Sequence, residues 1–460
     1  MRSNRVWMQL AIMMFGQYFI MGAWAVTLAT YLLHTPLKGG LNFEANQVSN
    51  IYAAVAFAGM VSPLLIGVLA DRLFAAQKLM FSIHFIGGFL LLAAALWCEE
   101  KGIAIQFRYG ELAESETVLG SPLTEIKEKE VSLEEKQIIR EVENQLNEDP
   151  DLKHHVGRTY RTLFLIMIGY ALCNVLTNTL ANVVALRNLR NPKLQFGSVR
   201  LFGTIGWIAA GIMIEVLFQA ISPQPLYLAA VTSFLMAISC LLLPNTPPMN
   251  QQKSWMAIMG FSALRLLKTR SLMILVLSTI LISISQQFYT IYANRYLVEL
   301  SVPYPTAIQT IAQIGEVTSM AIFPFLLNKI PMRMMMILGL IGLTIRNAIF
   351  CSENPTIVLC FGLPLHGIGY AFYYIVASIY VDRHAPGNIR ASAQGLVTFI
   401  TAGAGNFMGN LLSGVIVESQ KTGNSIDWFY VWLVPTLFCL MVTFFFGSLF
   451  YEEKPQEPAD

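Results

Sequence analysis

Apolar residues gather into long runs along the whole chain, at about 6–33, 48–70, 79–98, 160–186, 199–219, 224–244, 271–297, 305–328, 333–351, 355–381, 391–417 and 427–451. About 20 helical residues cross the hydrocarbon of a bilayer, so these runs predict about twelve membrane-spanning helices. The first contains Gln17, Trp24 and Thr27, and no small-residue cleavage site follows it. It is too long and too polar at its middle for a cleaved signal peptide, so a retained first helix is expected. Two polar stretches interrupt the rhythm. Residues 99–158 form an insertion between helices 3 and 4, and residues 245–270, opening with NTPP, form a linker between two six-helix halves. The organisation expected is helices 1–3 in 1–98, the insertion, helices 4–6 in 159–244, the linker, helices 7–12 in 271–451 and a tail at 452–460.

Composition sharpens this reading. Of 460 residues 55% are hydrophobic and only 13% charged, which marks an all-α polytopic membrane protein and excludes a soluble multidomain one. The net charge of +2 says little, because the charges are segregated. With the N-terminus inside, Arg2, Arg5, Arg72, Lys78, Arg187, Arg190, Lys193, Arg200, Lys253, Arg265, Lys268, Arg270, Lys329, Arg333, Arg383, Arg390 and Lys454 fall at inner ends, while the short outer loops hold little beyond Lys38, Arg295 and Lys421. That bias predicts both termini in the cytoplasm of a bacterial inner-membrane protein, with the insertion outside. The insertion carries 15 of the 28 acidic residues, and its Ser132 and Glu135 have capping-box spacing ahead of an amphipathic LEEKQIIREVENQL. It reads as a solvated decoration. The six cysteines all lie in or at the ends of apolar runs and show no metal-ligand spacing, so no metal or other cofactor is expected. The lipid bilayer is the expected environment, and no nucleic-acid partner is expected.

Helix 8 holds the chain's most telling residue. An ionisable group at membrane depth is costly unless it faces a bundle interior or a watery path, and Glu316 sits near the middle of VPYPTAIQTIAQIGEVTSMAIFPFLL. Gln309 and Gln313 share its face at helical spacing. A structural glutamate bonded to a neighbouring helix is the competing reading. Helix 5 sets Arg200, Thr204 and Trp207 on one stripe, and helix 7 sets Gln287, Thr290 and Asn294 on another beside aromatic rings. Amides and rings together suit a flat, polar ligand, although interhelical hydrogen bonding explains the amides about as well. Gln17, Trp24 and Thr27 form a comparable stripe on helix 1. Arg346 in helix 9 awaits an acidic partner, His366 in helix 10 is a candidate proton relay or a neutral bonded histidine, and Tyr370 opens an aromatic cluster. Glu215 and Glu418, near outer helix ends, are assigned no role. No nucleophile and base pair or phosphate loop points to an enzyme.

Six helices, an inner linker and six more is the hydropathy pattern of the major facilitator superfamily, and Gly67 through Asp71-Arg72 resembles that superfamily's inner-loop signature, a candidate gating pair. Within it the chain resembles the nucleoside:proton symporters. The resemblance rests on Gln17-Tyr-Phe with Gly22, Trp24, Thr27 and Tyr31, on Arg200-Leu-Phe-Gly-Thr204-Ile-Gly-Trp207, on Gln313-Ile-Gly-Glu316, and on Ile389-Arg-Ala-Ser-Ala-Gln-Gly395, and it spans nearly everything outside 99–158. It implies a central cavity in which Arg200, Thr204, Trp207 and Gln287 contact a nucleoside, Thr290 stands where the family pattern has asparagine, and Gln313 and Glu316 grip the sugar hydroxyls. One departure stands out. His366-Gly-Ile-Gly-Tyr370-Ala371-Phe372 carries alanine where the family has an aspartate linked to coupling.

The expectation is a membrane transporter of nucleoside-like molecules working by alternating access. Arg200, Thr204, Trp207, Gln287, Thr290, Gln313, Glu316 and Tyr370 hold the cargo, Trp207 and Tyr370 covering its ring, and Glu316 is the residue to carry a proton. The alternatives are the same fold with a sugar, nucleobase or cell-wall fragment as cargo, and a non-transporting sensor using the insertion.

Overall fold

A computed structural model describes residues 2–115, 117–118, 121–122, 133–218, 221–248, 264, 267–327, 329–385 and 390–453. It is almost wholly helical. The first half contains α1 (Asn4–Leu33), α2 (Ala45–Val68), α3 (Ala76–Ser115), α4 (Pro150–Asn188), α5 (Pro192–Leu217) and α6 (Gln224–Cys240). The second contains α7 (Arg270–Glu299), α8 (Pro305–Gln309 continuing as Ile311–Leu327), α9 (Met332–Phe350), α10 (Pro355–His384), α11 (Arg390–Thr398, a π turn Phe399–Gly405, then Asn406–Ser419) and α12 (Trp428–Leu449). Nine of the described helices are long and apolar enough to cross a bilayer. Between them pack α2 and α8, whose only charged residue is Glu316, and the shorter apolar α6, completing the twelve.

The insertion departs from the expected decoration. Rather than stopping near residues 98 and 160, α3 and α4 run on for 40 and 39 residues in total. At 1.5 Å per residue each is about 60 Å long, twice the hydrocarbon thickness, so both project well beyond the membrane. Asp149 starts α4, its carboxylate accepting from the Leu152 N–H at 2.8 Å with Pro150 in the first turn. The predicted amphipathic helix is present at Leu133–Asn147. The capping residue proposed for it, Ser132, lies outside the described residues.

That helix touches the other half. A small hairpin between α11 and α12, β3 (Lys421–Thr422) with β4 (Ser425–Ile426), turns at Gly423 with φ +60°, a backbone conformation that favours glycine. The first hairpin, β1 (Thr117–Val118) with β2 (Ser121–Pro122), belongs to the insertion itself. The Gly423 N–H donates to Asn144 Oδ1 at 2.7 Å, the Asn424 N–H to Glu143 Oε2 at 3.3 Å, and the Asn424 amide to Tyr109 Oη at 3.3 Å. Burial agrees with this bridging. One hydrophobic core takes in the first half together with the insertion-side ends of the second, including Phe288, Tyr292, Tyr296, Phe350, Trp428 and Trp432. Toward the chain termini the second half has a separate core around Leu272, Met335, Tyr373, Tyr380 and Phe446. The halves are thus fused on the insertion side and separately packed on the other.

Candidate functional site

Glu316 lies between the halves. Its carboxylate is half-buried and has no hydrogen bond or ion pair among the described residues, and the charge acting on it is Arg200, from the opposite half. Tyr18 and Tyr370 share that electrostatic neighbourhood. Arg200 lays its guanidinium over the Tyr18 ring, 3.8 Å from the centroid, a cation–π contact that orients it without neutralising it. Gly203 makes the room, for an added Cβ would lie 2.6 Å from the Tyr18 ring and 2.8 Å from Arg200 Nη1. Thr204 and Trp207 follow on the same helix, both half-buried. In the second half Gln313 holds a buried amide oxygen with no hydrogen bond among the described residues, Thr290 is exposed, and Tyr370 is 39% exposed.

A π turn begins at Tyr370, which faces out while Ala371 and Tyr373 are buried. Glu316 is seated by an unusually close crossing. Gly315 and Gly367 bring α8 and α10 into backbone contact, a Cβ at Gly367 falling 2.2 Å from the Glu316 nitrogen.

Other expected members of the site are engaged elsewhere. Gln287 donates to Asn406 Oδ1 of α11 at 2.9 Å and is buried. Gln309 leaves the Glu316 stripe because α8 breaks at Thr310. It is buried and accepts from Asn294, whose own oxygen accepts from Thr30 of the first half at 2.7 Å. The helix 1 stripe turns inward, with Gln17, Trp24 and Thr27 all buried, whereas Tyr18 beside it lies under Arg200. Arg346 meets no acid among the described residues. It donates to Gln286 Oε1 at 3.1 Å, to Asn347 Oδ1 at 2.9 Å and to His366 Nδ1 at 3.0 Å, and stacks over Tyr289. Arginine can only donate, so the His366 proton sits on Nε2, which does not suit a relay through both ring nitrogens. Asp71 and Arg72 fall in a π turn, Leu69–Leu73, and their side chains lie outside the described residues.

Glu215 and Glu418, set aside from sequence alone, each bridge the halves. The Glu418 carboxylate at the end of α11 accepts from the Ala45 N–H opening α2. Glu215 at the end of α5 accepts from the Thr306 N–H opening α8, at 2.9 Å. The fifth helix of each half thus caps the second helix of the other. The first-turn N–H groups of a helix lack partners within it, and its dipole favours an anion there. A hydroxyl pair, Ser49 with Tyr292 at 2.6 Å, lies beside the Glu418 contact.

The family model for nucleoside H+ symporters matches residues 4–107 and 155–455, both sides of the insertion. The chain is 30% identical to the YegT protein of Escherichia coli (strain K12), over 98% of this chain and 94% of that one. It is 25% identical to the xanthosine permease of the same organism, over 98% and 97%. The crystal structures of the nucleoside transporter NupG superpose with TM-scores of 0.78 and 0.75 at 23% identity, covering 97% of this chain and 100% of theirs. The D-xylose-proton symporter, at 15% identity and a TM-score of 0.58 over 98% of both chains, shares the fold.

Proposed function

Since the chain belongs to the nucleoside H+ symporter family, we propose that it carries nucleosides into the cell with protons, using Glu316 for both cargo and coupling. It is a multi-pass membrane transporter of the major facilitator fold, working by alternating access. The observation carrying the reading of the site is a carboxylate with no hydrogen bond or ion pair among the described residues, between the halves and under the charge of an arginine from the other half. A carboxylate accepts from the two hydroxyls of a ribose, and a site built to pair those hydroxyls rejects solutes without them. Gln313, one turn before it on the same helix, holds a second acceptor, buried and with no hydrogen bond among the described residues. Arg200 and Thr204 meet the polar edge of the base, Trp207 and Tyr370 cover its faces, and Thr290 adds a hydroxyl. Gln287 joins them on exchanging its bond to Asn406. With Ala371 where an acid is expected, Glu316 is the carboxyl left in the gap to take the proton.

The side bearing both termini faces the cytoplasm of the inner membrane in this reading, as the charge bias of the loops supports, and it is the side on which the halves are separately packed. Asp71 and Arg72 act as an inner latch when that side shuts. Labelled uridine entering proteoliposomes should be displaced by adenosine and other ribonucleosides and left untouched by xylose, free uracil or amino sugars. Displacement by a sugar or free base, with ribonucleosides inert, would transfer the site to another cargo.

The two carboxylate caps hold the outer side shut. Each helix-terminal carboxylate contributes roughly 0.3–2 kcal/mol, so losing both charges shifts the equilibrium by about 10-fold toward the outward-open form. Spin labels placed on the outer ends of α5 and α8 should therefore report a larger outward-open population in Glu215→Gln/Glu418→Gln than in the parent. Identical distance distributions would remove the caps from gating.

A further inference from the structure

We infer that the first half holds one buried water, away from the cargo gap, on Gln17, His84, Tyr170 and Asn174. These four come from α1, α3 and α4 and line one small cavity, walled also by Gly87, Thr177 and Ser233. They are exposed by 2, 3, 2 and 5%. Each nonetheless has a polar atom with no hydrogen bond by strict geometry among the described residues, namely Gln17 Oε1, His84 Nε2, Asn174 Oδ1 and Tyr170 Oη, the last approached by the Trp24 indole N–H, which leaves the hydroxyl hydrogen free to donate. Four orphaned polar atoms in one place are uncommon in a folded interior, where nearly all such groups are paired. The cavity leaves about 10 Å³ for the centre of a water-sized body, room for one molecule.

The donor and acceptor pattern selects the occupant. Gln17 is fixed by its neighbour. Thr177 directs its hydroxyl at the Cys173 and Asn174 carbonyls, both at 3.0 Å, so toward Gln17 it offers a lone pair, and the Gln17 amide nitrogen donates to it at 3.2 Å. The Gln17 oxygen is thereby turned into the cavity. It and the Asn174 oxygen can only accept, whereas the Tyr170 hydroxyl and the His84 Nε2–H can donate. Two acceptors and two donors are the complement of a water's two hydrogens and two lone pairs. Ser233 is occupied, donating to the His84 carbonyl at 2.9 Å. A sodium ion fits less well, because the lining contains no carboxylate to balance its charge at membrane depth.

The water ties three helices of one half into a unit able to rock as a body. It also braces Gln17, next to the Tyr18 that carries Arg200. A structure of the full-length protein at a resolution that shows ordered waters, prepared once in sodium and once in choline buffer, tests this. We expect one density in both preparations, within hydrogen-bond distance of all four atoms, and its loss in Asn174→Leu. We also expect the thermal midpoint of the parent to be the same in sodium and choline. A dry cavity would overturn the inference. So would density seen in sodium alone, accompanied by saturable stabilisation by sodium, which would make this a cation site.

Discussion

Glu316→Gln is expected to weaken nucleoside binding by about 10–100-fold and to abolish accumulation driven by a proton gradient, with the fold intact. Hydrogen bonds to a charged group are worth roughly 1.5–3 kcal/mol each, and glutamine replaces a charged acceptor by a neutral amide of nearly the same shape. It also removes the carboxyl that would load a proton. Because the Glu316 carboxylate has no protein partner among the described residues, the substitution breaks no internal bond and the thermal midpoint without cargo should change little. Calorimetric titration with uridine, beside a melting curve of the empty protein, separates the outcomes. Parental affinity in the variant would take Glu316 out of the cargo site. A large loss of stability without cargo would make it a structural residue instead.

Gly367→Val should abolish transport by a different route. The crossing of α8 and α10 is backbone against backbone, and an added Cβ would lie 2.1 Å from the Gly315 carbonyl carbon and 2.2 Å from the Glu316 nitrogen. No side chain can rotate away, so the helices must part and carry Glu316 with them. Overpacking of this kind costs roughly 1–3 kcal/mol, and a shift of about 1 Å in a positioned group can cost 100-fold in function. The thermal midpoint should fall by several degrees and uridine uptake should drop to background. Gly447→Ala is the control, since nothing lies within 4 Å of a Cβ there. Normal uptake by Gly367→Val would mean that the crossing does not set the position of Glu316.

Much of this architecture could be read from the chain because lipid imposes a simple rule. Twelve apolar runs of spanning length pointed to the fold, and an acid too costly to face lipid singled out Glu316 as the candidate. The overrun of α3 and α4 was hidden, since hydropathy ends where lipid ends whereas the helical backbone continues in water. Faces were misjudged where the helical period changes. The break at Thr310 turns Gln309 away from Glu316, and the π turn at Tyr370 rotates α10 partway along its length. Tyr18 was missed because an aromatic in an apolar run looks like core until Arg200 is seen to rest on it. Glu215 and Glu418 looked like solvated helix ends. Only the meeting of two halves distant in sequence shows what they cap, and the rough likeness of the apolar runs 199–219 and 391–417, with Arg200 and Arg390 at their inner ends, was the one hint available.

The most direct test of the central claim is uptake of labelled uridine by proteoliposomes containing the parent or Glu316→Gln, with an inward proton gradient imposed and then collapsed by a protonophore. The account predicts that the parent accumulates uridine above equilibrium only while the gradient lasts, and that the variant never does. Accumulation by the variant equal to the parent's, or parental uptake indifferent to the gradient, would contradict it.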